Sequence, residues 1–244
     1  MSRERSADLE APGDRIARLD WRQIRAAITS NGFARIPNLL APGECREIAA
    51  LFDTEPPFRA RIDMARFRFG EGEYRYFAYP LPRLVALLRA GLYPPLAGIA
   101  NEWRAALGSD ERFPARLETF LARCHQAGQT RPTPLLLRYR DDGYNCLHKD
   151  RYGNLSFPLQ VACLLDRPGR DFEGGEFLLV EQRPRMQSRG EAVALDAGEG
   201  IIFPNDERPV EGKRGFYRTR FRHGVSRVRS GCRTALGIIF HDAR

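Results

Sequence analysis

The spacing of apolar residues along the chain changes character near residue 131. Before it, apolar positions return every three to four residues, the period of a helix with one buried face. Asp20 is placed to cap a helix running to about Ser30 and stopped by Asn31-Gly32. Pro42 opens another through Phe52, with Ile48, Leu51 and Phe52 on one face. The same period predicts helices over Pro82–Leu92, Leu96–Leu107 and Pro114–Ala127. Phe58–Tyr79 breaks the pattern: aromatic and basic residues alternate in Arg66-Phe67-Arg68-Phe69 and Tyr74-Arg75-Tyr76-Phe77, around Gly70 and Gly72, which reads as a hairpin.

After Gly128-Gln129-Thr130-Arg131-Pro132, short β-branched, aliphatic or aromatic runs alternate with glycine turns. They are Leu135–Arg140, Ser156–Leu165, Glu176–Val180, Ala192–Leu195, Gly200–Phe203, Arg218–Arg222 and Thr234–Phe240. Many short strands at this spacing predict a sandwich or jelly-roll barrel rather than a parallel α/β sheet. The expected class is α+β with a mainly β core. Residues 132–244 form the jelly roll, and residues 1–131 form a mostly helical support carrying the hairpin near 58–80, the two packed as one compact domain.

Composition narrows this picture. The 244 residues are 43% hydrophobic and 29% charged, as in a soluble globular protein. No uninterrupted apolar run approaches the roughly 18 residues of a membrane span. Met1–Asp14 is polar and lacks the apolar core of a secretory signal, so the expected location is cytoplasmic. Five scattered cysteines, Cys45, Cys124, Cys146, Cys163 and Cys232, form no Cys-x-x-Cys pair, which argues against a disulfide framework or a zinc site. The net charge of +8 permits binding to polyanions such as nucleic acid. Only Lys149 and Lys213 are lysines, and so strong an arginine bias reads more simply as genome composition than as function.

Candidate chemistry centres on His148-Lys149-Asp150 and the later His223 and Arg233. In an extended strand, residues two apart share a face, so His148 and Asp150 aim together while Lys149 points away. His223, at an expected strand edge, can reach across the barrel. Two imidazoles and a carboxylate occupy one face of an octahedral Fe(II) and leave the remaining positions open. Arg233, at the start of the last apolar strand, offers a planar fork to a carboxylate. His-x-Asp alone is common by chance, and most histidines are structural. The combination inside a jelly-roll pattern is what points to a non-haem iron oxygenase. Cys146 is not needed as a ligand, and His125 and His241 read as structural or exposed. Gly174-Gly175 reads as a turn, and Arg183, Arg185 and Arg189 as solvated loop charge.

With Arg138-Tyr139…Gly143 before the His-x-Asp pair and Glu173-Gly174-Gly175-Glu176-Phe177 after it, residues 133–244 resemble the Fe(II)/2-oxoglutarate-dependent dioxygenases. Further stretches extend the likeness over nearly the whole chain: Tyr76–Pro82, Pro134–Tyr139, Gln182–Arg189 and Arg222–Arg227. They resemble a bacterial branch described as oxygenases of damaged nucleic acid, distantly similar to the alkylation-repair dioxygenases. The resemblance implies a double-stranded β-helix, Fe(II) as metal, and 2-oxoglutarate and O2 as co-substrates. It implies His148, Asp150 and His223 as iron ligands, Arg233 pairing with the C5 carboxylate of 2-oxoglutarate, and Tyr139 donating a hydrogen bond to it. Arg151-Tyr152-Gly153 stands where alkylation-repair enzymes carry further acidic residues, and Ile239 where they place a second arginine. Both departures weaken direct base repair and keep a protein side chain or small molecule open as substrate. A cupin-like binding module without turnover is the alternative of another class. Arg66, Phe67, Arg68, Tyr74 and Tyr76 are the candidate substrate contacts, since arginines interleaved with aromatic rings suit single-stranded or damaged nucleic acid. A hairpin packed against the barrel gives the same pattern, and packing is the reading we favour for the aromatics.

Overall fold

Asp20 caps the second helix as its sequence position predicts: its Oδ1 accepts the Gln23 N–H at 3.0 Å, and Gly32 closes the helix in the left-handed conformation at φ 89°. The computed structural model describes residues 11–150 and 152–244. Its helices are α1 (Pro12–Ala17), α2 (Trp21–Asn31), α3 (Pro42–Ala50), α4 (Arg83–Ala106) and α5 (Leu117–Gln126). The separate helices expected over Pro82–Leu92 and Leu96–Leu107 are one, α4, which runs through Pro94 and Pro95. Each interior proline costs about 3 kcal/mol. Against that, Leu84, Val85, Leu88, Leu92, Leu96, Ile99, Ala100 and Trp103 are all buried along one stripe. At roughly 1.5–3 kcal/mol per large buried side chain, continuity wins. α4 is also long and apolar enough to cross a membrane, but most of that window is buried inside the protein.

The β-structure is two facing antiparallel sheets. The seven-stranded sheet runs in the order β1 (Ala34–Ile36), β11 (Gly200–Pro204), β7 (Leu159–Leu164), β15 (Arg233–Ile238), β5 (Leu135–Tyr139), β4 (Glu73–Phe77) and β2 (Phe58–Asp63). The six-stranded sheet runs β10 (Arg189–Val193), β9 (Phe177–Gln182), β13 (Gly215–Val225), β6 (Tyr144–His148) and β3 (Gly70–Glu71), with β12 (Glu207–Gly212) also paired to β13. A short ribbon pairs β14 (Val228–Gly231) with β8 (Phe172–Gly174). β1, β3 and β4 come from before residue 131 and pair with strands that follow it. The predicted hairpin is present as β2 and β4, and it extends the seven-stranded sheet beyond β5.

The alternation along each strand separates two environments. Leu136 of β5 and Leu236 and Ile238 of β15 face outward into the core they share with α4 and α5. Leu135, Leu137 and Tyr139 of β5, with Arg233, Ala235 and Gly237 of β15, line a cavity between the sheets. Because helices cover its outer face, this sheet is apolar on both sides, which is why Thr234–Phe240 reads as a nearly unbroken apolar run. The same period of two turns Arg233 inward.

Candidate metal centre and its cavity

β6 ends at His148, and antiparallel pairing sets His223 of β13 directly opposite it. The imidazole centroids are 4.2 Å apart. His223 therefore does not sit at a strand edge reaching across the barrel, as expected, but in the interior of β13, between β6 and β9. Asp150 also departs from the expected geometry, since it lies past the end of β6 rather than on a shared strand face. Asn205 holds it there: the Asp150 N–H donates to Asn205 Oδ1 at 2.9 Å, and Asn205 Nδ2 donates to the Asp150 carbonyl at 2.5 Å. The amide thus supplies the ladder bonds that the strand no longer offers. Lys149 does not simply point away. It forms an ion pair with Asp206 and lines the cavity.

One ligand atom each from His148, Asp150 and His223 lies within 4.8 Å of the others. His223 Nε2 stands 3.2 Å from Asp150 Oδ2, and His148 Nε2 stands 3.7 Å from Oδ1. His148 Nδ1 is 2.8 Å from the Cys146 carbonyl. A carbonyl only accepts, so Nδ1 carries the proton and Nε2 presents its lone pair to the centre. Phe177 stacks beside the His223 ring at 6.2 Å, and Phe203 packs at 4.8 Å. Burial alone would raise the Asp150 carboxyl. The hydrogen bond and charge of His223, then the charge of His148 and the Tyr152 hydroxyl, instead hold it well below the usual range. Burial, followed by the charge of His223, pushes the His148 imidazole down. A carboxylate beside a neutral imidazole is the donor form that a divalent cation requires, and a two-nitrogen, one-oxygen set suits Fe(II).

Arg233 is 2% exposed and lines the same cavity. Its Nε and Nη1 have no hydrogen-bond partner among the described residues. An unpaired buried guanidinium is costly, and burial pushes its pKa down. Its cradle is made by Gly175, at φ +63°, where a Cβ would stand 2.7 Å from Arg233 Cδ. Gly174-Gly175 is therefore a turn, and also the space the arginine occupies. Tyr139, paired to Arg233 across β5 and β15, is fully buried. Its hydroxyl accepts from Asn145 Nδ2 at 3.1 Å, and burial pushes its pKa up to about 12, so it keeps a proton to donate.

The cavity between the sheets has a volume of about 370 Å³. Among the candidate substrate contacts, Arg68, Tyr74 and Tyr76 line it, while Arg66 and Phe67 do not. Phe67 is 54% exposed, and Arg66 is exposed and 3.5 Å from Asp63. The sequence reading overlooked Asn205, Asn145 and Tyr152 as parts of the site. Tyr152 donates to Asp150 Oδ1 at 2.6 Å and accepts from the Tyr76 hydroxyl at 3.0 Å. Tyr152 was legible only as the residue two beyond the aspartate. Asn205 lies 55 residues beyond Asp150, with β7 to β11 between them, and gives no local signal.

Comparison with known proteins decides the family. A family model described as "Oxygenase, catalysing oxidative methylation of damaged DNA" matches residues 72–243. The chain belongs to that oxygenase family. The oxygenase is also 52% identical to an uncharacterised protein of Mycobacterium tuberculosis, over 68% of this chain and 72% of that one. Among solved structures, it is similar to an oxidoreductase of the 2-oxoglutarate–Fe(II) oxygenase family from Burkholderia pseudomallei, with a TM-score of 0.55 at 17% identity, covering 93% of this chain and 96% of the other. It is likewise similar to a Trichoplax adhaerens prolyl hydroxylase solved with a hypoxia-inducible-factor peptide, with a TM-score of 0.53 at 14% identity and coverage of 94% and 91%. These structural likenesses establish the double-stranded β-helix fold of the oxygenase.

Proposed function

We propose that this oxygenase depends on Fe(II) and 2-oxoglutarate and acts on a base of single-stranded or damaged nucleic acid. The observation that carries the reading is Arg233: a buried cation with two unpartnered nitrogens, facing a cavity whose other wall holds two histidines and an aspartate. His148, Asp150 and His223 would hold the iron, and Arg233 the distal carboxylate of 2-oxoglutarate. A planar guanidinium gives two parallel bonds to a carboxylate and so fixes its orientation as well as its charge. Tyr139 donates its hydroxyl proton to the same co-substrate. When bound, Fe(II) with 2-oxoglutarate and O2 supplies the power to oxidise a substrate C–H bond, with succinate and CO2 released. Phe177 and Phe203 shield His223 from water on its inner side. Tyr74 and Tyr76 leave a largely apolar wall for a planar substrate. The nucleic-acid substrate is supported by the family description and by the net charge of +8.

The test loads the protein anaerobically with Fe(II) and 2-oxoglutarate, admits O2, and follows succinate with a panel of methylated oligonucleotides and peptides. We expect oligonucleotide-stimulated succinate formation and a modified base. Unchanged turnover by His148→Ala and Asp150→Ala proteins would defeat the site assignment. Stimulation by peptides alone would defeat the nucleic-acid substrate.

A further inference from the structure

Outside the cavity, the turn between β2 and β3 presents a surface that packing does not explain. Phe67 and Phe69 are 54% and 46% exposed, yet their rings are ordered against each other, with centroids 5.6 Å apart and planes at 19°. Burying two such rings elsewhere would stabilise the fold. The backbone works to hold them out. The Phe67 and Phe69 N–H groups both donate to the Met64 carbonyl at 3.1 Å, and Arg68 between them takes a left-handed conformation at φ +58°. A non-glycine residue in that region is strained, and such strain concentrates where a site needs it. The Phe69 carbonyl accepts the Cys146 N–H at 2.8 Å, which pins the turn to β6 two residues before His148. Phe69, Arg68 and the half-exposed Leu147 form one side of the cavity mouth.

The electrostatics of this mouth select its occupant. Asp150 is the one carboxylate among the residues lining the cavity, against Arg68, Lys149 and Arg233. Lys149 is taken by Asp206, and Arg233 is buried. Arg68 is exposed, and its guanidinium has no hydrogen-bond or ion-pair partner among the described residues. Of the turn's own acids, Asp63 is engaged by Arg66, while Glu71 lines a different depression with Arg61, Arg138 and Arg140. Flat exposed rings beside a free guanidinium fit a polymer that is both aromatic and anionic.

We propose that Phe67, Arg68 and Phe69 form a stacking rim for an unpaired nucleic-acid strand. Bases next to the one in the cavity lie on the phenyl rings, and Arg68 meets a phosphate. The proposal rests on the nucleic-acid reading above and goes further, since it places the flanking nucleotides and requires them to be unpaired.

The experiment measures fluorescence anisotropy of a labelled oligothymidylate at low salt with the full chain, as wild type, Phe67→Ala/Phe69→Ala, Phe67→Trp/Phe69→Trp and Arg68→Ala. All three residues are exposed, and thermal melting checks that each variant is folded. We expect the double alanine variant to bind about 30-fold or more weakly, because each stacked base is worth roughly fivefold or more and two are lost. The double tryptophan variant should retain affinity and show tryptophan quenching on binding. Arg68→Ala should reduce the salt slope by a little under one. If the wild type binds and the double alanine variant binds equally, the rim is wrong while the nucleic-acid reading stands. No binding by the wild type defeats that reading itself. An equal preference for duplex, or tighter binding of polyglutamate through the same residues, overturns the proposal in favour of another partner.

Discussion

Arg89 and Arg233 are buried to the same depth, 1% and 2% exposed, and differ in their surroundings. Arg89 lies where α4 meets the end of the last strand, and its hydrogen bonds reach the Ile239 carbonyl at 3.0 Å, the Phe240 carbonyl at 3.1 Å, Asp242 Oδ1 at 2.7 Å and the Tyr79 hydroxyl at 2.8 Å. Asp242, with no exposure, also accepts from Tyr79 at 2.9 Å and faces His125 Nε2 at 2.8 Å. That region is complete in itself. Arg233, between the sheets, has the rings of Tyr139 at 5.8 Å and Phe172 at 6.0 Å from its guanidinium carbon, and among the described residues no hydrogen-bond partner for Nε or Nη1. Arg208, the other arginine among the described residues buried to this depth, also has its terminal nitrogens engaged, by the Ile28 and Thr29 carbonyls and by Glu181. The incompleteness at Arg233 supports the proposal that it is a binding group, in contrast to Arg89.

The largest expected effect tests the scaffold side. Arg89→Leu strands Asp242 as a buried carboxylate and should cost about 3–5 kcal/mol of stability, read from denaturant or thermal unfolding. Arg233→Met, which removes an unpaired cation, should change stability of the ligand-free protein by less than about 1 kcal/mol or raise it. Equal losses for the two would erase the distinction.

Next in size is a pH effect in the scaffold region. Burial pushes the His241 imidazole down to about 4 from 6.5, and its Nδ1 must stay unprotonated to accept the Phe157 N–H at 3.2 Å. The folded form therefore refuses a proton that the unfolded chain accepts. This contribution is complete above the unfolded value and is lost progressively as pH falls to the folded one, to a total of about 3 kcal/mol. His241→Asn retains an acceptor without the titration. Its melting temperature should fall less than that of the wild type between neutral and pH 4.5. Parallel declines would show that His241 carries none of the acid sensitivity.

On the binding side, Arg233→Met should weaken 2-oxoglutarate by at least about 30-fold, roughly 2 kcal/mol, in calorimetry with Mn(II) in place of iron. Arg233→Lys should recover only part of this, because an ammonium keeps the charge and loses the fork. Wild-type affinity in Arg233→Met would place the co-substrate elsewhere.

These contrasts bear on what was readable in advance. The gathering of His148, Asp150, His223 and Arg233 around one cavity was legible because their chemistry is rare in combination and because strand alternation fixes which way a side chain points. Seven strands of the second half were legible for the same reason, with β6, β8 and β14 left out and β10 at Arg189–Val193 rather than Ala192–Leu195, since pairing with β9 sets its limits. β12 was not anticipated, because its Pro209 and charged residues hide a strand that exists only by pairing with β13. Asn205 and α4's passage through two prolines were also hidden, since each depends on a partner far away in sequence. The aromatic and basic hairpin divides residue by residue. Arg75 packs its guanidinium on Phe52 and Phe58 and Phe77 is buried, as packing predicts, while Tyr74 and Tyr76 face the cavity and Phe67 and Phe69 face solvent.

The smallest predicted effect carries the comparison from arginines to carboxylates. Asp242 has every oxygen committed to Arg89, Tyr79 and His125. Asp150, in contrast, faces the two histidines and accepts one side-chain hydroxyl, that of Tyr152 at 2.6 Å. Tyr152 is in turn steadied by Tyr76, at 3.0 Å and with the rings edge to face. A single donor on Oδ1 can fix the direction of the carboxylate while leaving Oδ2 for a cation, and partners of this kind typically change metal affinity 10- to 100-fold. Tyr152→Phe removes only the hydroxyl and should lower Mn(II) or Co(II) affinity about tenfold, with the melting temperature of the metal-free protein nearly unchanged. Tyr76→Phe, one bond further out, should have a smaller effect in the same direction. If Tyr152→Phe instead lowers the metal-free melting temperature and leaves metal affinity intact, Tyr152 belongs with Arg89 among the groups that hold the fold together, and Asp150 needs no outside help to face its ion.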